Sequence, residues 1–150
     1  MTPADDAPAD NSGRRNMGST QPQAIALAYL EAFEKKDKTA VRRLLADDGS
    51  FIGPLRSFTN ADAFMEAADL FMQLTKKFDI KKVIADGDDV CVLWDYTTIV
   101  PSIPVTPVAE WYKIESGKIK YLQLHFNAAP FLAAMERGEV AKALEARKAG

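Results

Sequence analysis

Residues 105–126 read VTPVAEWYKIESGKIKYLQLHF. Ser116-Gly117 forms a two-residue loop, with a glycine free to take the positive φ that a tight hairpin turn demands. Val, Ile, Trp, Tyr, Leu and Phe, all strand formers, crowd both sides of it. The stretch predicts a β-hairpin with strands over 105–115 and 118–126. Pairing Ile114 with Ile119 across the turn sets Glu110 opposite Gln123 and Val108 opposite His125. Side chains alternate along strands. One face then carries Ala109, Trp111, Leu122, Leu124 and Phe126, and the other Glu110, Tyr112, Tyr121, Gln123 and His125. A one-residue change in this pairing exchanges the faces, so any site read from the hairpin rests on it.

Working outward from the hairpin, Val90 to Val100 predicts a strand that adds Val92, Trp94 and Tyr96 to the first face and Cys91, Leu93 and Asp95 to the second. Pro101 to Pro104 joins it to the hairpin as a loop. Phe78 to Ala85 predicts another strand, turning at Asp86-Gly87-Asp88-Asp89. The four strands make a meander. Before it the period is helical. Thr20 caps a first helix, with Pro22 early in it and Ile25, Ala28, Tyr29, Ala32 and Phe33 on one stripe. Lys35-Lys36 closes that helix, where positive charge suits the dipole. Asp37 caps a short second helix carrying Val41, Leu44 and Leu45 and ending at Gly49. Ser50 to Ile52 is a short strand stopped by Gly53-Pro54. Asn60 caps a third helix with Phe64, Met65, Ala68, Phe71 and Met72 on one face. After the hairpin, Ala129-Pro130 breaks the strand and Phe131 to Ala149 predicts a C-terminal helix. Three helices, a short strand, a four-strand antiparallel meander and a helix make an α+β fold.

The chain has 150 residues, enough for one domain with a proper core. Residues 1–19 hold almost nothing apolar and read as a disordered N-terminal tail ahead of a single domain at 20–150; Met17 offers an alternative start. Nineteen Lys and Arg against 21 Asp and Glu, interleaved, give a net charge of −2 and no basic run, which disfavours nucleic-acid binding. No stretch reaches the roughly 20 apolar residues of a membrane helix, and no signal peptide opens the chain. The lone Cys91 has no partner for an internal disulfide. These features fit a cytoplasmic protein.

Residues 23–49, QAIALAYLEAFEKKDKTAVRRLLADDG, and 111–131, WYKIESGKIKYLQLHFNAAPF, carry a resemblance beyond composition. The first is an amphipathic helix, a charged turn, a short helix and Ala-Asp-Asp. The second is a strand, a turn ending Gly-Lys-Ile, and a strand closing near Asn-x-x-Pro-Phe. Together with the element order they resemble the nuclear transport factor 2-like superfamily, and within it the SnoaL-like and ketosteroid-isomerase-like proteins. The likeness covers most of the chain after the tail. It implies a cone in which a curved antiparallel sheet, the meander plus a short strand, packs against three N-terminal helices with a C-terminal helix. It implies that the first face lines a cavity, and that Tyr29 stands where the isomerases place a tyrosine that donates to the substrate oxygen. It also implies a homodimer through the outer face, on Leu93, Val108, Tyr112 and Tyr121.

The expected ligand-binding residues are therefore Tyr29, Phe51, Phe64, Trp94, Tyr96, Trp111, Leu122, Leu124 and Phe126. Either they fill the centre of the fold as a core or they line a pocket. Buried Trp and Tyr need partners for their polar hydrogens, which a ligand could supply. In the isomerase pattern the catalytic base is a carboxylate just before the Pro after the first short strand, and that position is Gly53. The acidic donor falls at Ala109. Isomerase chemistry by the family route is thus not supported, and Tyr29 is the one retained catalytic candidate. Asp95 and His125 lie on the outer face, where they read as a polar surface or dimer contact; they would form an acid–base pair in the pocket only if the register slips. One His without spaced partners is far from a metal-ligand set, and no phosphate loop or nucleophile elbow appears. No cofactor is expected. The expected function is binding, and isomerase-, cyclase- or hydrolase-type turnover, of an apolar ring-containing molecule with one polar oxygen. The alternative is a non-catalytic dimerising module that holds a ligand or a protein partner.

Overall fold

The structure, a computed structural model, describes residues 21–149. The Thr20 cap and the tail before it lie outside the described residues. The first helix, α1, covers residues 21–34 and buries Ala26, Tyr29, Leu30, Ala32 and Phe33; Ala28, expected on that stripe, is exposed. It stops in a left-handed cap. Lys36 takes φ 62°, its amide donates to the Phe33 carbonyl, and the Asp37 amide reaches back to Ala32. Asp37 then caps the next helix, α2 (Lys38–Arg43), by accepting from the Ala40 amide at 3.1 Å.

From Leu45 the chain departs from expectation. The second helix does not run to Gly49; strand β1 covers Leu45–Ile52. The cause is a long-range partner: β1 lies parallel to the last strand, β6 (Lys118–His125), with Leu45 beside Ile119 and Phe51 beside Leu122. Between Leu45 and Ser50 the pairing is broken by a bulge. Gly49 sits in it, where a Cβ would stand 3.0 Å from the Lys120 carbonyl oxygen and 2.7 Å from Phe51 Cζ. Only a residue without a side chain permits that approach. A two-residue strand, β2 (Ser57–Phe58), folds back on the end of β1. Asn60 caps α3 (Ala61–Leu74), accepting from Ala63 N at 2.8 Å.

The meander follows as expected, with slightly longer strands: β3 (Thr75–Asp86), β4 (Asp89–Thr98), β5 (Thr106–Glu115) and β6. Its last turn has φ 52° at Ser116 and 77° at Gly117, the mirror-image turn that suits strand twist. The C-terminal helix is two helices, α4 (Ala129–Glu136) and α5 (Glu139–Ala149), separated at Gly138, whose φ of 75° ends the first. Among the described residues the curved, unclosed sheet runs β2-β1-β6-β5-β4-β3, antiparallel except for β1 against β6. The fold is α+β, and helices cover the inner face.

The hairpin register is the correction with consequences. Ile114 does pair with Ile119, but Lys113 pairs with Tyr121. One extra residue, Lys120, is thus inserted on β6 as a bulge. Beyond it Tyr112 opposes Leu122, Glu110 opposes Leu124 and Ala109 opposes His125. Leu122 and Leu124 still face inward, but their β5 neighbours are now Tyr112 and Glu110. Trp111 and Ala109 therefore turn to the outer face, while Val108 and Tyr112, expected outside, are buried.

Candidate functional site

A cavity of about 390 Å³ opens between α1, α3 and the inner face of the sheet. Its size is that of a small-molecule site. Tyr29 from α1, Phe64 from α3 and Phe51 from β1 line it, as do Trp94 and Tyr96 from β4. Leu122, Leu124 and Phe126 line it too, so eight of the nine expected residues stand around the cavity. Phe51 stacks on Phe64 with ring centres 4.8 Å apart. Phe78, from β3, packs on Trp94 at 4.3 Å and joins the wall.

Trp111 does not belong to the site. It is 38% exposed on the outer face, donates from Nε1 to Asp89 Oδ1 at 2.8 Å, and packs edge-on against Tyr121. Asp95 and His125 also stay outside. The slip that does occur exchanges the faces of β5 alone. Asp95 sits in the outer row near Lys81 Nζ at 3.7 Å, and His125 is exposed beside Ala109. No acid–base pair is brought into the cavity by them.

The residue that sequence reasoning missed is Glu110. It is 1% exposed and lines the cavity. Trp94 Nε1 donates to its Oε1 at 3.2 Å, and the Tyr112 hydroxyl donates to the same oxygen at 2.6 Å. No described side chain of opposite charge pairs with it, and Oε2 has no protein partner among the described residues. Burial therefore disfavours the anion, and the carboxyl is pushed up to about 7, with the bonds from Tyr112 and Trp94 holding back part of the rise. A signal for Glu110 was present within β5. Val108, Tyr112 and Ile114 share its phase, whereas Trp111 shares phase with Lys113 and Glu115, which belong in water.

Tyr29 is 2% exposed. Its ring meets Tyr112 edge-on at 5.8 Å. Its hydroxyl, like Glu110 Oε2, has no hydrogen-bond partner among the described residues. Burial and the Glu110 charge both push its phenol well up, so it stays a neutral donor. Tyr96 differs. Its hydroxyl pairs with Thr75 Oγ1 at 3.0 Å and donates to the Phe71 carbonyl at 3.3 Å, and burial pushes its phenol up to about 12. Tyr96 is therefore wall, while Tyr29 and Glu110 keep polar atoms for something else. Two such groups in the wall of one apolar cavity can each bond to a polar ligand atom: the phenol donates, and a carboxyl that titrates near neutrality donates or accepts as its protonation dictates. The residues present make no case for a metal; among the described residues no cluster of three or more His, Cys, Asp or Glu is suitably placed. No described helix is long and apolar enough to cross a membrane.

Solved structures share this architecture. A Kribbella flavida DSM 17836 protein is 25% identical, with 88% of this chain and all of that one covered and a TM-score of 0.70. A second protein of the same organism, provisionally described as a ketosteroid isomerase, is 16% identical over 74% of this chain and 81% of its own, with a TM-score of 0.62. An epoxide hydrolase of M. tuberculosis, similar to the LEH type, is 18% identical over 85% and 98%, with a TM-score of 0.67. The last two likenesses show the fold alone. No curated protein matches the sequence. The sequence profile of the SnoaL-like domain matches residues 26–122, from α1 into β6 and so through most of the cavity wall. The chain accordingly belongs to the SnoaL-like domain family of the nuclear transport factor 2-like superfamily.

Proposed function

We propose that the protein binds an apolar, ring-containing small molecule in the aromatic cavity, with the ligand's one polar oxygen held between Tyr29 and Glu110. The observation that carries this reading is the pair of buried polar groups that reach an apolar cavity with atoms unused by the protein. Buried polar atoms are ordinarily paired, and each left unpaired costs about 1–3 kcal/mol. A carbonyl or hydroxyl oxygen arriving there would recover that loss. An apolar body suits the remaining wall, whose faces are Phe51, Phe64, Phe78 and Trp94.

The same pair supports turnover. Where the isomerase pattern has its base, this chain has Gly53, which offers no carboxylate. Proton transfer next to a carbonyl would then fall to Glu110, the titratable carboxyl inside the cavity. Tyr29 would donate to the oxygen as negative charge develops on it. A carboxyl poised near 7 both takes and returns a proton at neutral pH, which suits isomerase-, cyclase- or hydrolase-type chemistry on the ring.

Trp94 tests the reading directly, because it lines the cavity and bonds to Glu110. In a Trp111→Phe background it is the only tryptophan left, so its fluorescence reports the site. Titration with steroid ketones, polyketide-like aromatics and terpenoids should give a saturable change with at least one class. Tyr29→Phe should weaken that binding by about 0.5–1.5 kcal/mol, the worth of a hydrogen bond. A flat response across the whole panel would remove the ligand reading.

The alternative reading, a dimerising module, draws on the outer face. Trp111, Leu93 at 36% exposure and Ile84 at 49% lie there with Tyr121. This is the make-up of an isologous interface, with an aromatic and aliphatic centre inside a charged rim. Trp111 takes the place first expected of Tyr112. Light scattering at micromolar concentration should give twice the chain mass; a monomer would dismiss the interface.

A further inference from the structure

We propose that the ligand carries an acidic group opposite its buried oxygen, and that Arg56 at the cavity mouth recognises it. This inference rests on the reading of the cavity as a ligand site and adds the chemical class of what enters.

Arg56 is exposed and yet lines the cavity, which puts it at the opening. The bend between β1 and β2 presents it. Gly53 N donates to the Arg56 carbonyl at 2.9 Å, and Ile52 pairs with Ser57 just beyond. Its guanidinium lies 4.9 Å from the centre of the Phe58 ring, a stacking that holds the fork in place without using its hydrogen-bond donors. Arg42 and Arg137 are held in ion pairs with carboxylates. No described carboxylate lies within ion-pair distance of Arg56.

An aromatic series connects this cation to the interior. Phe58 meets Phe64 edge-on at 6.0 Å, and Phe64 stacks on Phe51 at 4.8 Å. A ligand lying along these rings has one end at Arg56 and the other toward Tyr29 and Glu110. The closed end rejects a carboxylate, since an anion there would be dehydrated beside a buried acid that itself resists ionisation. The rim accepts one, because the acid stays partly in water and meets a planar two-pronged donor. Electrostatics thus fixes the direction of entry, oxygen first and acid last. Glu66, on α3, lines the same rim and is exposed. It opposes a second negative charge, so the fit is to a monoacid.

The test uses para-acetylphenyl-substituted fatty acids, butanoic to octanoic, and their methyl esters. Each has a ketone at one end, a ring, and an acid or its neutral mimic at the other. Binding is read from Trp94 fluorescence in the Trp111→Phe background, with a thermal melt of every variant. The acid of best length should bind about 5–10-fold more tightly than its ester at low salt, with the advantage shrinking as salt screens the exposed pair. Arg56→Gln should abolish the preference while leaving the ester's affinity and the melt unchanged. Arg56→Lys should keep part of it, and Glu66→Gln should tighten acid binding alone. Ester and acid binding equally, or Arg56→Gln weakening both alike, would overturn the role of Arg56 while leaving the cavity reading standing. Failure of every acid and ester to bind, while a steroid ketone, polyketide-like aromatic or terpenoid does bind, would overturn this inference alone; failure of both sets would bring down the cavity reading as well.

Discussion

Replacing Glu110 with Gln isolates the energetic consequence of burying an acid. Glu110 titrates at about 7 in the fold against 4.5 for an ordinary glutamate. A folded pKa above the unfolded one means that the native state holds its proton more tightly. Its stabilising contribution is complete below about pH 4.5 and is lost as pH rises toward and through 7. The loss spans roughly two and a half pH units at about 1.4 kcal/mol each, or about 3 kcal/mol. The side chain is fully buried, so solvent does not screen this loss. Gln keeps the shape and the Oε1 acceptor for Trp94 Nε1 and the Tyr112 hydroxyl, and it carries no charge at any pH. Wild type and Glu110→Gln should therefore have similar stability near about pH 4.5 and diverge above it, with the variant ahead by as much as about 3 kcal/mol near pH 8. For a domain of this size that is roughly ten degrees in the thermal midpoint. Melting both proteins in steps across this range and taking the difference cancels the background of other carboxylates. In parallel, Trp94 fluorescence in the Trp111→Phe protein should titrate with a midpoint near 7 and become flat once Glu110 is Gln. Melting curves that run parallel from acid to base, with no Glu110-dependent fluorescence step, would refute the buried, unpaired carboxyl and the proton chemistry built on it.

Two further substitutions probe the architecture by thermal or denaturant unfolding. Gly49→Ala should cost about 1–3 kcal/mol, because its Cβ would press on the Lys120 carbonyl across the β1–β6 pair; an unchanged midpoint would mean the bulge can relax. Trp94→Ala should cost on the order of 3–5 kcal/mol, since the ring is 4% exposed and its truncation leaves a cavity. Trp111→Ala should cost distinctly less, because its ring lies partly in water; equal costs would place Trp111 back inside.

What could be read from the chain follows the range of the forces involved. The Asp37 and Asn60 caps and the tight turn at Ser116-Gly117 are fixed by neighbours within a few residues, and all stand as read. The inward phases of α1, β4 and β6 could also be read, because apolar residues repeat along each element by itself. These grouped Trp94 with Tyr96 and Leu122 with Leu124, and set Tyr29 on the apolar stripe of α1; that these faces line a cavity was implied by the family resemblance, and all five residues stand in the cavity wall. The end of α2 could not be read. Locally, Leu44-Leu45-Ala46 favours helix and Asp47-Asp48-Gly49 a turn, and what makes Leu45–Ile52 a strand is β6, about seventy residues downstream.

By itself, then, the sequence determined an α+β domain of the SnoaL-like kind, the order of its main elements without β2 or the break at Gly138, and a largely apolar inner face. Only the tertiary structure decided the offset of β5 against β6 and so which side of β5 faces in, although the alternation within β5 already favoured the side of Glu110. An alternating pattern tells which residues of a strand share a face, but not which face meets which on the neighbouring strand. That offset is set by pairing, and one inserted residue, Lys120, changes it by one. The insertion exchanges Trp111 for Glu110 at the centre of the site. It thereby turns a cavity with one donor, Tyr29, into one that also holds an acid near neutrality, because burial without a counter-charge is a property of three-dimensional surroundings and is not written in any local run of residues.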